Sequence, residues 1–327
     1  MKKLLFTFLF INTLSIIGQE KNAVKAFKIN GSVDSYYTTN LSTSSIGTTG
    51  ILSDVSANGF GLGMANLVFS YEKGKTGMVA DLAYGPRANA ANAYTGAINQ
   101  LYVYYQASET IKFTLGQFNT FYGYEVISPT TNFNYSVSYL FNAGLFSHTG
   151  IKIDYTPNDD LSWMFAVTNP HGIVAGSNTS DHFQLGGQVG YKNQYFNLAY
   201  GADGFGFKDV LYLDYTGGID ISDSFYIGIN AAYSNSDDAD SGYSGAALYF
   251  QKEVSSSFSV GVRPEFFQTR ASSEKNNISA VTLTGKTALS ENLSLLTEVR
   301  YDTAKDVVFV GGKESITGFT MAAVYSF

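Results

Sequence analysis

The sequence predicts an all-β fold: a transmembrane antiparallel up-and-down β-barrel of about sixteen strands, with fourteen or eighteen as the neighbouring even counts. Three observations carry that expectation. Stretches of eight to twelve residues alternate between apolar and polar along most of the chain. Their apolar phase holds no charged side chain. Short polar links also alternate with long ones. Composition excludes the main competitors. In 327 residues there is no Cys and there are only 3 His, so a disulfide scaffold, a thiolate centre and a His-rich metal site are all unsupported. Charged residues make up 14% and the net charge is −7, which argues against a nucleic-acid partner because phosphate binding needs a basic surface. Aromatic residues at 15% argue against disorder.

The N-terminus reads as an export signal. Lys2 and Lys3 precede an apolar run from Leu4 to Ile17 that ends at Gly18. That is the charged, apolar and small-residue order of a secretory signal peptide over 1–18, leaving 19–327 as one barrel domain. Polar interruptions at Thr7, Asn12, Thr13 and Ser15 leave the run short of the ~20 apolar residues of a spanning helix. No other stretch in the chain approaches that length.

Sixteen strands follow from the period-two segments, because successive side chains of a strand point to opposite faces. They are placed at 27–39, 59–72, 76–85, 97–106, 111–119, 149–156, 161–169, 182–191, 195–202, 208–216, 223–233, 242–252, 257–268, 278–288, 293–302 and 314–327. In the first, Phe27, Ile29, Val33 and Tyr37 oppose Lys28, Asn30, Ser32, Asp34 and Tyr36. In the second, Phe60, Leu62 and Met64 change phase before Leu67, Phe69 and Tyr71, which points to a bulge or a strand start near Ala65. Further on, Ile151, Ile153 and Tyr155 alternate with Lys152 and Asp154. Phe258, Val260, Val262 and Phe266 oppose Arg263 and Glu265, and Val299 and Tyr301 oppose Glu298 and Arg300. A charge-free apolar phase is what a lipid-facing wall requires, since one Arg or Lys at the bilayer midplane costs roughly 2–4 kcal/mol. Tight links near 72–77, 107–110, 157–160, 192–194, 255–257 and 289–292 suit periplasmic turns. Longer ones at 41–58, 85–97, 119–148, 169–181, 234–242, 270–277 and 302–313 suit external loops. The last strand ends with Tyr325 and Phe327 on the apolar phase, the aromatic ending that barrel assembly machinery reads as its signal.

Residues 98–150 carry a resemblance. The strand LYVYY, the run L-G-Q-F-N-T-x-x-G-Y-E at 115–125, and NFNYSVSYLF with HTG within 132–150 resemble the OmpL-like β-barrel porins of Gram-negative outer membranes. LVFSYEKGKTGMVADLAYGPRA at 67–88 resembles them too, and beyond about 160 the likeness is one of strand and turn rhythm. The resemblance implies a pore for small hydrophilic solutes and carries over no functional residue.

The residues themselves lead to a similar place. A barrel of this size leaves an aqueous lumen. Asp34, Asp81, Lys152, Asp154, Arg263, Glu265, Glu298 and Arg300 fall on the inner phase and would line it, either tuning selectivity or pairing to brace the wall. The longest loop, 119–148, is rich in Tyr, Phe and Asn, and Glu125 is its only charged residue. Folded inward it makes a constriction; folded outward it caps the mouth. Arg87 is expected in a solvated external loop. The resulting expectation is a passive diffusion porin with no cofactor, no metal and no catalytic residue. Its partners are outer-membrane lipid, the assembly machinery and small solutes, with a homotrimer compatible with the fold. The alternative is a surface adhesion barrel with a blocked lumen. A barrel hydrolase finds little support: His148, His171 and His182 lie near the rim, but Ser147 and His148 are strand neighbours pointing apart, and no G-x-S-x-G occurs. The glycine-rich pieces at 59–64 and 201–207 lack the following helix of a phosphate site, and Asp237–Asp240 reads as an acidic loop.

Overall fold

The computed structural model describes residues 27–43, 58–92, 96–170, 182–202, 209–237, 239–272, 274–305, 309 and 311–327. The expected signal peptide, His171, Asp181 and most of 201–207 lie outside these residues. Sixteen antiparallel strands close into one barrel, each bonded to its neighbours in sequence and β1 bonded to β16. In order they are β1 Lys28–Asn40, β2 Asn58–Lys73, β3 Thr76–Tyr84, β4 Ile98–Gln106, β5 Ile111–Asn119, β6 Ser147–Tyr155, β7 Leu161–Thr168 and β8 Gln184–Tyr191. Then come β9 Gln194–Gly201, β10 Val210–Ser222, β11 Phe225–Ser236, β12 Ser241–Ser255, β13 Phe258–Ala271, β14 Glu274–Ala288, β15 Leu293–Ala304 and β16 Ser315–Ser326. Closure runs from Ser32 opposite Ser326 to Asn40 opposite Gly318, and leaves no free sheet edge.

The apolar phase faces outward as the alternation requires. Phe165, Leu185, Phe196, Phe266, Leu283 and Tyr301 are all exposed on the outer wall. The bulge is where the phase change places it. Pairing of β1 with β2 jumps from Val33–Ala65 to Ser35–Leu62, so Gly63 and Met64 together face Asp34. The Met64 amide donates to the Asp34 carboxylate across that bulge at 2.9 Å.

Several boundaries differ from the expectation. β10 continues to Ser222 rather than stopping near 216, through Gly217 and Gly218. Those glycines resemble a strand end in sequence but serve close packing: a Cβ on Gly218 would collide with the Tyr226 hydroxyl. β11, β12, β13 and β14 extend past the expected ends, shrinking the links to 237–240 and 272–273. Polar residues such as Asn235, Gln268 and Asn277 take the outer phase there, so the ladder goes on after the apolar alternation fades. Two short helices were not expected from the sequence, α1 Pro86–Ala91 and α2 Tyr139–Ala143. Pro86 at the start of α1 supplies the pre-set φ of a first helical turn. In α2, Ser138 is the N-cap and accepts from the Phe141 amide at 3.0 Å.

Candidate functional site

The connection from β5 to β6 does not stay outside. Residues 120–146 run into the barrel and cross it from the β8 wall to the β1 wall. Their composition explains why an irregular segment can be buried there. Its aromatic side chains supply apolar contact, and its backbone groups find charged partners on the wall, so few are stranded. The Gly123 amide donates to Asp214 on β10 at 3.0 Å. The amides of Tyr135 and Ser136 donate to the two oxygens of Glu298 on β15 at 2.7 and 2.9 Å, and Leu140 donates to Glu265 on β13 at 2.8 Å. The Tyr135 hydroxyl donates to Asp34 on β1 at 2.6 Å. In the other direction Arg300 donates to the Val137 carbonyl at 2.8 Å and to Asp302 at 2.7 Å. Arg263 holds both the Ser136 carbonyl and the loop's own carboxylate, Glu125, the latter at 2.5 Å. Glu125 in turn accepts from the Ser138 amide and hydroxyl. Bonds to charged groups contribute more than neutral ones, about 1.5–3 kcal/mol each, and this cluster gathers many of them.

Small residues on the wall complete the seat. A Cβ on Gly261 would collide with the Phe133 ring, one on Gly228 with Tyr124, one on Gly186 with Phe121, and one on Gly245 would crowd Leu140. Apolar residues on the inner phase meet the same loop: Tyr135 packs with Tyr36, Leu296, Ala322 and Val324. Val137, Leu140 and Phe141 pack with Phe267 and Ala280.

Of the eight inner-phase charges, Asp34, Arg263, Glu265, Glu298 and Arg300 are buried against the loop. Asp81 is sealed in the wall by the amides of Asn66, Asn99 and Gln100. Lys152 and Asp154 alone stay partly exposed, joined through two contacts of 2.9 Å, and Lys112 approaches the same carboxylate at 3.8 Å. Arg87 corrects the expectation of a solvated loop residue. It is 1% exposed and donates to the Ile127 and Tyr135 carbonyls at 2.7 and 3.0 Å, because α1 folds its first turn onto the inserted loop. Asp214 was missed by sequence reasoning. It is buried, and besides Gly123 it accepts from Asn197 and Asn230. Tyr325 and Phe327 lie on the outer face, and the Phe327 amide and carbonyl close β16 onto Gly31 at 3.0 Å. Ser147 and His148 sit side by side at the start of β6, and His148 Nε2 meets the Thr120 hydroxyl at 3.0 Å while its ring stacks on Phe121. Among the described residues no cluster of three or more His, Asp or Glu could hold a metal ion.

The loop fills one side of the lumen, and beside it the other side keeps a cavity. Along β2–β6 a cavity of about 960 Å³ runs from the tight links at Lys75 and Glu109 to Phe118 and Asn119 at the far end of β5. Its wall carries Glu72, Lys112, Lys152, Tyr102 and Tyr104, with Gln100 and Thr114 between them. The nine residues of β5 span most of a bilayer's apolar thickness at about 3.3 Å per residue, and the cavity follows them from end to end.

The family described as "Putative beta-barrel porin-2, OmpL-like" matches residues 26–327. No curated protein matches the sequence. Among solved structures, the outer membrane channel DcaP of Acinetobacter baumannii superposes with a TM-score of 0.62 at 11% identity, covering 92% of this chain and 97% of that one. In-vitro folded OmpT of Vibrio cholerae, in its trimer form, gives 0.57 at 12% identity over 92% and 99%. OprB of Pseudomonas putida gives 0.59 at 8% identity over 92% and 94%. At these identities the likeness is one of fold.

Proposed function

The chain belongs to the OmpL-like family of β-barrel porins of the outer membrane, and on that premise we propose a passive diffusion channel whose path follows the β2–β6 side of the lumen. The observation that carries this reading is the open, charged cavity beside the inserted loop. Small hydrophilic solutes cross it hydrated, with no cofactor, no energy coupling and no chemical step. The loop acts as a fixed constriction: its backbone is held by Asp34, Glu265, Glu298, Arg263 and Arg300, so these charges set the width of the path rather than face it. Lys152, Lys112 and Asp154 face the water, and with Glu72 on the same wall both signs line the path, so a change at any one of these charges shifts its ion preference. Export by a signal peptide at 1–18, assembly through the aromatic ending at Tyr325 and Phe327, and association into a homotrimer belong to the same reading.

Single-channel recording of the refolded protein in a planar bilayer tests it. Steady conductance steps are expected, and the reversal potential under a salt gradient reports the balance of these wall charges. Lys152→Glu should shift that potential toward cations. A folded barrel that stays silent would remove passive diffusion and leave the adhesion barrel as the better reading.

A further inference from the structure

A second cavity lies across the lumen from the open path, on the turn side of the inserted loop. It measures about 380 Å³, within the range of small-molecule sites. The loop forms its roof through Tyr124, Asn132 and Phe133, and the wall closes it with Tyr226 of β11, Gln251 of β12 and Lys286 of β14. Lys286 distinguishes the cavity. Its inner-wall neighbours are paired, Arg263 with Glu125 and Arg300 with both Asp302 and Glu265. Lys286 is half-buried and forms no ion pair or hydrogen bond among the described residues. Glu125 also borders the cavity, but Arg263 and Ser138 already occupy its oxygens. A partly desolvated ammonium without a counter-charge is unfavourable, which makes the place attractive to an anion.

The other polar groups point the same way. Tyr124 donates its hydroxyl proton to the Tyr226 oxygen at 3.1 Å, which leaves the Tyr226 proton free to donate onward. The site thus offers an ammonium and a phenol as donors beside aromatic faces, and no free carboxylate. We propose that this cavity binds small organic anions that carry a carboxylate on a ring, with the carboxylate on Lys286 and Tyr226 and the ring against Tyr124 and Phe133. The inference rests on the channel reading only for the way the solute arrives; the site itself would exist in a closed barrel. A bound ring bridges the loop to β11 and β14, so the same solute both uses the channel and steadies its constriction.

Titration calorimetry on the whole refolded barrel tests the assignment, with sodium benzoate as the probe and benzyl alcohol and sodium acetate as partial mimics. Benzoate should bind saturably, about tenfold or more tighter than either mimic. Lys286→Gln should weaken benzoate about tenfold, and Lys286→Arg should restore it while both variants keep the heat-resistant barrel band of the parent. Equal binding by benzyl alcohol or acetate, no saturable benzoate binding, or an unchanged affinity in Lys286→Gln would each overturn the proposal. Bilayer recording keeps the two readings apart. A silent barrel with Lys286-dependent benzoate binding leaves the site standing and removes the channel. A conducting barrel whose benzoate affinity ignores Lys286 does the reverse.

Discussion

Arg263 shows what a single inner-wall residue does here. Its guanidinium lies between the loop carboxylate Glu125 and the Ser136 carbonyl, 1% exposed, with Thr282 within reach on the neighbouring strand. Removing one partner of a buried ion pair strands the other, at about 3–5 kcal/mol. Arg263→Met should therefore unseat the loop while the hydrogen-bonded wall persists, and single-channel conductance should rise with added noise. Pairing it with Glu125→Gln removes the stranded charge, so the double variant should recover part of the loss. Equal conductance in parent and Arg263→Met would show that the pair does not hold the constriction. The sequence disclosed that Arg263, Glu265, Glu298 and Arg300 point inward, because alternation fixes the phase of each residue. It could not disclose that they answer a loop more than a hundred residues away, since no local rule links Ser136 to Arg263.

At the scale of elements, the strands were legible and the loop's docking was not, yet the strands held a trace of it. A wet lumen needs polar residues on the inner phase. Tyr36, Tyr249, Phe267, Leu296 and Val324 break that pattern, and the loop packs on or beside each of them. Glycines on the same phase, Gly186, Gly228, Gly245 and Gly261, mark where loop side chains enter the wall. The short helices escaped because five or six residues give no period to read. Docking into these notches is itself testable. At Gly261 a Cβ would meet the Phe133 ring most closely and the Phe250 carbonyl of β12 next, so the ring is displaced first and the ladder is pressed as well. Gly261→Leu should speed protease cleavage within 128–136 about tenfold or more and widen the conductance, at some cost in the barrel's heat resistance. Gly318→Leu is the control, since a Cβ there meets nothing within 4 Å. Cleavage at the parent rate in Gly261→Leu would mean the ring does not depend on that notch.

The whole molecule is organised by two solvents, lipid outside and water within, and its sequence encodes both as phases of one alternation. Sheets packed face to face could also produce period-two strands, so the decisive property is a dependence on depth. In a bilayer the cost of a charge on the outer wall falls from the midplane to the interface; in a water-soluble sheet it does not depend on position along the strand. Phe165 stands near the middle of β7 and is 62% exposed on the outer wall. Tyr155 ends β6 at the tight-link side, two strand positions beyond Ile153 on the same outer face. Phe165→Arg should destabilise the barrel in bilayers by roughly 2–4 kcal/mol, whereas Tyr155→Arg should cost about 0–1 kcal/mol. Neither substitution touches the loop or the open path, so the pore of each correctly folded variant should conduct like the parent. Denaturant titration of the two variants in vesicles measures the difference. Equal costs at the two depths would mean that this outer face does not meet lipid, and the barrel would then need another environment for its apolar wall.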